Sequence, residues 1–254
     1  MEGERERMRK LGYLWLTLLF LGTSLLWAED KVCEVNVVTP KTGGAKQWEE
    51  ARKQHNKFHA AEKDKVAIMV WNISAGSATG NYLTVSCGQT WKDMDGMDAF
   101  EQRDEADRQK TITPASASSL TAYWIYRADL SSAPEPATPG KMMTSVDYVL
   151  KPGGLTQFTE AIKRINAAIA QTKYPSKPSR WYQLAIGGTG PRFAVVTDRN
   201  SWADMQAPEQ SMADMLKQAY GNDDKTLQTL RDTIDHTESF LYDYRADLSY
   251  IPSK

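Results

Sequence analysis

His55 and His59 stand four residues apart, with Arg52 three residues before His55. On a helix these spacings put all three side chains on one face. An imidazole in such a place can act as a general base, a metal ligand or a haem ligand. Two His at i and i+4 can share a metal, but no third ligand stands out in the sequence, so no metal is assigned. Trp48, Trp71, Asn72 and Tyr82 are aromatic and amide groups of the kind that surround an oxygen-reactive substrate. Trp48, Arg52, His55, His59, Trp71 and Tyr82 are therefore the candidate ligand-binding residues, and no residue is assigned as catalytic. The competing reading rotates the helix so that both His reach solvent or backbone carbonyls. His236, close to Asp232 and Asp235, reads as a surface or capping residue.

Other chemistry is excluded by pattern. Gly76–Gly80 and Gly187–Gly190 lack the Gly-Lys-Ser/Thr ending of a phosphate loop and read as hairpin turns. Asp93–Asp98 is acidic but lacks calcium-loop spacing. The charged stretch Glu101–Lys110 reads as a solvated helix face. The 254 residues carry 31 Lys+Arg against 32 Asp+Glu, a net charge of −1, which gives no electrostatic case for nucleic acid. A 41% hydrophobic composition is that of a globular chain.

The elements that must position these residues come in two sets. Gly43–Lys53 lies against Gly153–Lys163 at an offset of 110, with both Gly, the Gln, the Glu, the Ala and the Lys in common. Trp91-Lys92-Asp93-Met94 meets Trp202-Ala203-Asp204-Met205 at 111, and Tyr126–Ser131 meets Tyr244–Ser249 at 118, identical throughout. Ordered matches with a slowly growing offset imply duplication. At the offset of 110, Arg52, His55 and His59 fall on Ile162, Ile165 and Ile169. The second copy thus marks these positions as core-facing, and the first copy places polar groups on them. Buried polar groups need partners, so a cavity, water or ligand is expected there.

Within each copy, alternation in Cys33–Val37 predicts a strand, and the stripe Ala45, Trp48, Ala51, His55, Phe58 predicts an amphipathic helix. Strands follow at Val66–Ile73 and Tyr82–Cys87, a helical region from Trp91, and a last strand at Ala122–Leu130. The second copy repeats this with Trp181–Ile186, Phe193–Thr197, a helix from Trp202 and Phe240–Leu248. The order β-α-β-β-α-β is the split ferredoxin-like unit. In that unit the first and third strands are antiparallel neighbours. Cys33 and Cys87 then meet, either as a disulfide or as two buried thiols. Trp-x-Asp-Met reads as a helix cap with Trp and Met filling the core below. Arg and Asp two apart on a strand share a face, so Arg127 is expected to pair with Asp247, and Arg245 with Asp129, across the two copies as structural contacts.

With its Gly-Gly helix entry, hairpin and Trp-x-Asp-Met start, the chain resembles the dimeric α/β-barrel superfamily, nearest to its NIPSNAP-like and antibiotic-biosynthesis-monooxygenase-like branches. The resemblance covers Val32 to Pro252. It implies an α+β fold of two ferredoxin-like β-α-β-β-α-β repeats packed as an intramolecular pseudo-dimeric barrel, with a pocket between helices and sheet. It also implies a choice among cofactor-free oxygenase, haem-linked enzyme and non-catalytic module, since one fold hosts many functions. The expected organisation is a signal peptide at 1–28, repeat 1 at 32–132, a Pro-rich linker at 133–144 and repeat 2 at 145–252. The expected function is binding of a small, partly apolar ligand in the pocket of repeat 1. No cofactor is the first expectation and haem the alternative. The expected state is a monomeric pseudo-dimer or a higher homo-oligomer.

Arg5, Arg7, Arg9 and Lys10 precede an uncharged run, Leu11–Trp27, and then Ala28. A basic head, an apolar stretch and a small residue make a secretory signal, with an uncleaved anchor as the alternative. The chain is expected to be secreted or periplasmic, off the membrane once the signal is removed. Mass spectrometry of the exported protein should find a chain beginning at Glu29. A mass that includes the leader would establish the anchor instead.

Overall fold

A computed structural model describes residues 30–96, 98–135 and 138–253. The expected signal peptide lies outside the described residues. The first half of the chain forms β1 (Val32–Pro40), α1 (Ala45–Glu62), β2 (Met69–Ala75), β3 (Tyr82–Gln89), α2 (Trp91–Met94), α3 (Asp98–Lys110) and β4 (Ser116–Tyr126). The second forms β5 (Met142–Leu150), α4 (Leu155–Thr172), β6 (Arg180–Ile186), β7 (Arg192–Arg199), α5 (Met212–Tyr220), α6 (Thr226–Thr233) and β8 (Ile234–Tyr244). The fold is α+β. Its strands close into an antiparallel barrel in the order β1-β3-β2-β8-β5-β7-β6-β4. Each half contributes its fourth, first, third and second strands in that spatial order. Closure comes from β2 pairing with β8 and β4 pairing with β6. A closed barrel leaves no strand edge open.

The halves share local chemistry. Gly43 and Gly153 turn the chain into α1 and α4 with φ of +71° and +82°, a conformation that favours glycine. Both helices end on a left-handed lysine, Lys63 and Lys173. The Trp-x-Asp-Met segments open on reciprocal caps, Thr90 with Asp93 and Ser201 with Asp204, so each Asp sits inside the first turn instead of at the cap. Trp91 and Trp202 are 37% and 70% exposed and do not fill a core. With its orphan donors met by the reciprocal cap, the turn needs no aromatic plug.

Alternate strand residues face opposite ways. Cys33, Val35, Val37, Met69, Trp71, Leu83, Met143 and Tyr242 point into the barrel lumen and border a cavity of about 290 Å³. Cys33 and Cys87 sit opposite each other in the β1–β3 register and form a disulfide. Of the linker, Glu135 is buried, accepts a hydrogen bond from Tyr182 and lines the lumen.

The last strands stop earlier than expected, at Tyr126 and Tyr244. The residues that follow turn away from the strand and dock on the opposite half. Leu248 enters the core formed by Val38, Trp48, Val70 and Tyr82. Leu130 enters the larger core of Phe158, Ile162, Ile165, Trp181, Phe193 and Met215. Asn56 donates to the Leu248 carbonyl and Asn166 to the Leu130 carbonyl, each at 2.8 Å. The expected crosswise Arg–Asp pairs do not form. Arg127 grips Asp129 and Arg245 grips Asp247, each through two nitrogens, because the turn folds Arg and Asp of one segment together. The crosswise contacts are instead Arg127 to Gln183, Arg245 to Glu49, Lys163 to Asp129 and Lys53 to Asp247.

Leu130 and Leu248 are both fully buried. Leu248→Ala and Leu130→Ala are each expected to lower stability by about 2–5 kcal/mol, read by urea denaturation. A loss below about 1 kcal/mol would show that the turns are not anchors.

Candidate functional site

On α1 the buried residues are Trp48, Arg52, His55 and His59, the stripe expected to face the core. They do not meet an apolar sheet. The outward residues of β1 and β3 here include Glu34, Asn36, Thr84 and Ser86. Between them, α1 and α3, lies a cavity of about 850 Å³, bordered also by Asp64, Phe100, Asp104, Arg108 and Tyr123. In the second half the same interface is filled by Tyr148, Phe158, Trp181, Phe193 and Met215.

The two imidazoles are almost fully buried, with side-chain exposures of 2% and 4%. His55 Nδ1 lies 2.7 Å from Asp107 Oδ2 and His59 Nδ1 lies 2.9 Å from Asp64 Oδ2. Ionised carboxylates only accept, so each Nδ1 donates, and in the neutral form of each ring Nε2 then presents a lone pair. Those lone pairs converge: Nε2 to Nε2 is 3.1 Å, and Asp104 Oδ1 is 3.2 Å from His55 Nε2 and 3.5 Å from His59 Nε2. Asp104 Oδ1 is buried and accepts no hydrogen bond. Phe58 lies parallel to the His55 ring, and Tyr250 stacks on His59.

Burial, then the charge of His55 and of Arg52, lowers the His59 pKa. For Asp104 burial works upward, but the contact with His55, the pull of both rings when protonated and the charge of Arg108 outweigh it and hold the carboxyl below its usual range. Burial pulls Arg52 down to about 10, with the Asp104 charge working the other way. Arg52 donates through Nε to the Leu248 carbonyl at 3.4 Å, while its Nη2 has no partner. Trp48 Nε1 is likewise buried without a partner.

Four of the six candidate ligand-binding residues, Trp48, Arg52, His55 and His59, therefore share one cavity. Trp71 does not join them: it lies on the other face of the sheet, in the lumen, because its strand parity points it inward. Tyr82 supports the site from behind. It stacks on Trp48 at 4.2 Å and donates to Glu49 at 2.6 Å, and burial together with that bond pushes its pKa up to about 12. His236 is exposed beside Asp235. Sequence reasoning missed Asp64, Asp104 and Asp107. The last two sit in the charged stretch read as solvated, whose helix turns them toward the histidines. At the offset of 111 Asp104 falls on Met215, a fully buried core residue, and that comparison could have found it.

No protein-family model matches the chain, and no curated protein matches it by sequence. Solved structures match its fold. An anthrone oxidase-like protein aligns with a TM-score of 0.58 at 12% identity, covering 90% of this chain and 95% of that one. A protein from Lactobacillus acidophilus assigned as a monooxygenase aligns at 0.53 and 7%, covering 89% and 98%. A chlorite dismutase variant from Candidatus Nitrospira defluvii aligns at 0.53 and 10%, covering 88% and 94%. These likenesses support a ferredoxin-like α+β fold. The haem expected as an alternative does not fit this site. An axial nitrogen must face a broad flat ring, whereas His55 Nε2 and His59 Nε2 face each other at 3.1 Å with Asp104 closing the triangle.

Arg52 is the buried cation whose charge offsets Asp104 and whose Nε holds the Leu248 carbonyl, so Arg52→Met is expected to lower the stability of the ligand-free protein by about 1–3 kcal/mol. Urea denaturation tests this. A gain would mean that the desolvation of the guanidinium outweighs both contacts.

Proposed function

We propose that the chain is an exported protein, a tandem duplication of a ferredoxin-like unit, whose first half binds a small, partly apolar ligand in its helix–sheet pocket. It works as a monomeric pseudo-dimer related to the NIPSNAP-like and antibiotic-biosynthesis-monooxygenase-like groups. The ordered repeats and the reciprocal docking of the two turns support duplication, and the N-terminal pattern supports export. The observation that carries the binding reading is the pair of buried, unpartnered donors on α1, Trp48 Nε1 and Arg52 Nη2, both of residues that line the cavity. Buried donors without partners cost stability, and a ligand oxygen accepting from them removes that cost. Phe100 and Tyr123 supply apolar surface in the same cavity. Pockets of this kind pair apolar walls with a few convergent polar groups. The second half, with its filled interface, is the scaffold.

A second reading makes the same pocket an oxygenase-like active site, with His55 as base. The fold likeness to an anthrone oxidase-like protein and to a protein assigned as a monooxygenase favours it.

Native mass spectrometry of the protein exported by its own host type should show one retained organic mass per chain, lost in a Trp48→Phe, Arg52→Met double variant. Oxygen-dependent consumption of anthrone, abolished by His55→Ala, would favour the oxygenase reading. A bare wild-type protein that neither consumes anthrone nor is stabilised by it would overturn both.

A further inference from the structure

The geometry points to a metal centre: we propose that His55 Nε2, His59 Nε2 and Asp104 Oδ1 bind one divalent transition-metal ion. The binding itself needs no organic ligand. Only the role of its open positions rests on the pocket reading above.

The first argument is the triangle. Its edges are 3.1, 3.2 and 3.5 Å. Three corners so spaced are equidistant from a point about 2 Å away, which is the length of a metal–imidazole or metal–carboxylate bond. The ligand–metal–ligand angles at that point run from about 100° to 120°, scattered around the tetrahedral value. Three acceptor atoms converging on one point repel one another unless a cation occupies it.

The second argument is orientation. Metal-bound imidazoles almost always donate their other N–H to a carboxylate or carbonyl, which fixes the tautomer. Both imidazoles do so here, His55 to Asp107 and His59 to Asp64. Asp64 is itself held: its Oδ1 accepts from the Val66 N–H, and its carbonyl accepts from the Tyr250 hydroxyl.

The third argument is charge. With the imidazoles neutral, as metal ligands must be, Asp64, Asp104 and Asp107 are offset by the buried Arg52 and in part by Arg108, whose charge acts on Asp104 while it pairs with Glu105 at 3.6 Å. The balance around the triangle stays negative, and a divalent ion offsets it.

The donor set selects the metal class. Two imidazoles and one carboxylate suit Zn(II), Fe(II), Co(II) or Ni(II), whereas Ca²⁺ and Mg²⁺ favour oxygen ligands. The chain's two cysteines are joined to each other and supply no thiolate. Three protein ligands leave positions open to water or a small molecule, the mark of a reactive and not a structural site. Trp48 and Arg52, with their free donors, lie on the same cavity.

The test uses the mature protein, dialysed against chelator and then titrated with Zn²⁺ by calorimetry and with Co²⁺ by visible absorption. One equivalent should bind, with the Co²⁺ spectrum of a four- or five-coordinate site. His55→Ala, His59→Ala and Asp104→Asn should each weaken binding at least 100-fold, and Asp64→Asn and Asp107→Asn by about 10–100-fold. His236→Ala should change nothing. Asp104→Asn is isosteric and decides the matter if a histidine variant fails to fold. No saturable binding, or binding indifferent to Asp104→Asn, would overturn the proposal. A retained organic mass in a protein that takes up no Zn²⁺ or Co²⁺ on titration would overturn the metal centre and leave the pocket reading standing. Metal binding without any organic mass would do the reverse.

Discussion

Each half of the molecule is completed by the other through one reciprocal contact, the seating of the turn after β4 or β8 in the opposite half. Leu130 and Leu248 are the apolar plugs, and the asparagines at positions 56 and 166 hold the carbonyls of those same leucines. Backbone pairing continues the contact, since Arg127 donates to the Trp181 carbonyl and Arg245 to the Val70 carbonyl. Ser131 and Ser249 then accept from the Trp181 and Val70 N–H groups. Neither core is whole without the other chain half. The candidate site depends on this arrangement directly, because Arg52 and Asn56 of α1 both hold the Leu248 carbonyl. The helix that carries His55 and His59 is thus fixed by the end of the chain.

On that shared frame the two helix–sheet interfaces have opposite chemistry. The second is an ordinary core, with stacked Phe158 and Phe193 and three isoleucines of α4. The first replaces those isoleucines with Arg52, His55 and His59 and faces them with the polar side of β1 and β3. Such a replacement costs desolvation at every polar atom. Part is recovered by Asp64 and Asp107, each bonded to one ring. The remainder sits in Asp104 Oδ1, Arg52 Nη2 and Trp48 Nε1, buried without partners. Native interiors hold few such atoms; seven occur among the described residues, and these three belong to residues of one cavity wall.

The frame was legible because repetition is a sequence property. The six-residue identity at Tyr126 and Tyr244 marked both segments as structural contacts between the copies, though as strands and not as turns, and the offset of 110 exposed the polar residues on the α1 stripe. What escaped was set by contacts between elements. Asp104 and Asp107 are two among many charges on α3, and only the packing of α3 on α1 separates them from solvated neighbours such as Glu105. Asp64 sits in the loop after α1, where no periodicity applies. The crosswise Arg–Asp pairing failed because a planar guanidinium finds the carboxylate two residues on once the chain turns, and a local bidentate pair needs no distant partner. Trp71 was misplaced because aromatic character does not reveal which face of a sheet a residue occupies.

Strand parity explains why the departure lies where it does. Inward residues of all eight strands meet in one lumen, so Trp71, Met143 and Tyr242 from different halves pack in the same cluster. A polar change there disturbs both halves and the closure of the barrel. Outward residues meet the helices of their own half and the one docked turn of the other. Glu34, Asn36, Thr84 and Ser86 can line a polar cavity while Cys33, Val35, Leu83 and Val85, their immediate neighbours in sequence, keep the lumen intact. The period of two in a β-strand separates the part of the first half that must stay as the barrel requires from the part free to acquire chemistry. His55, His59 and Asp104 gather on the second side.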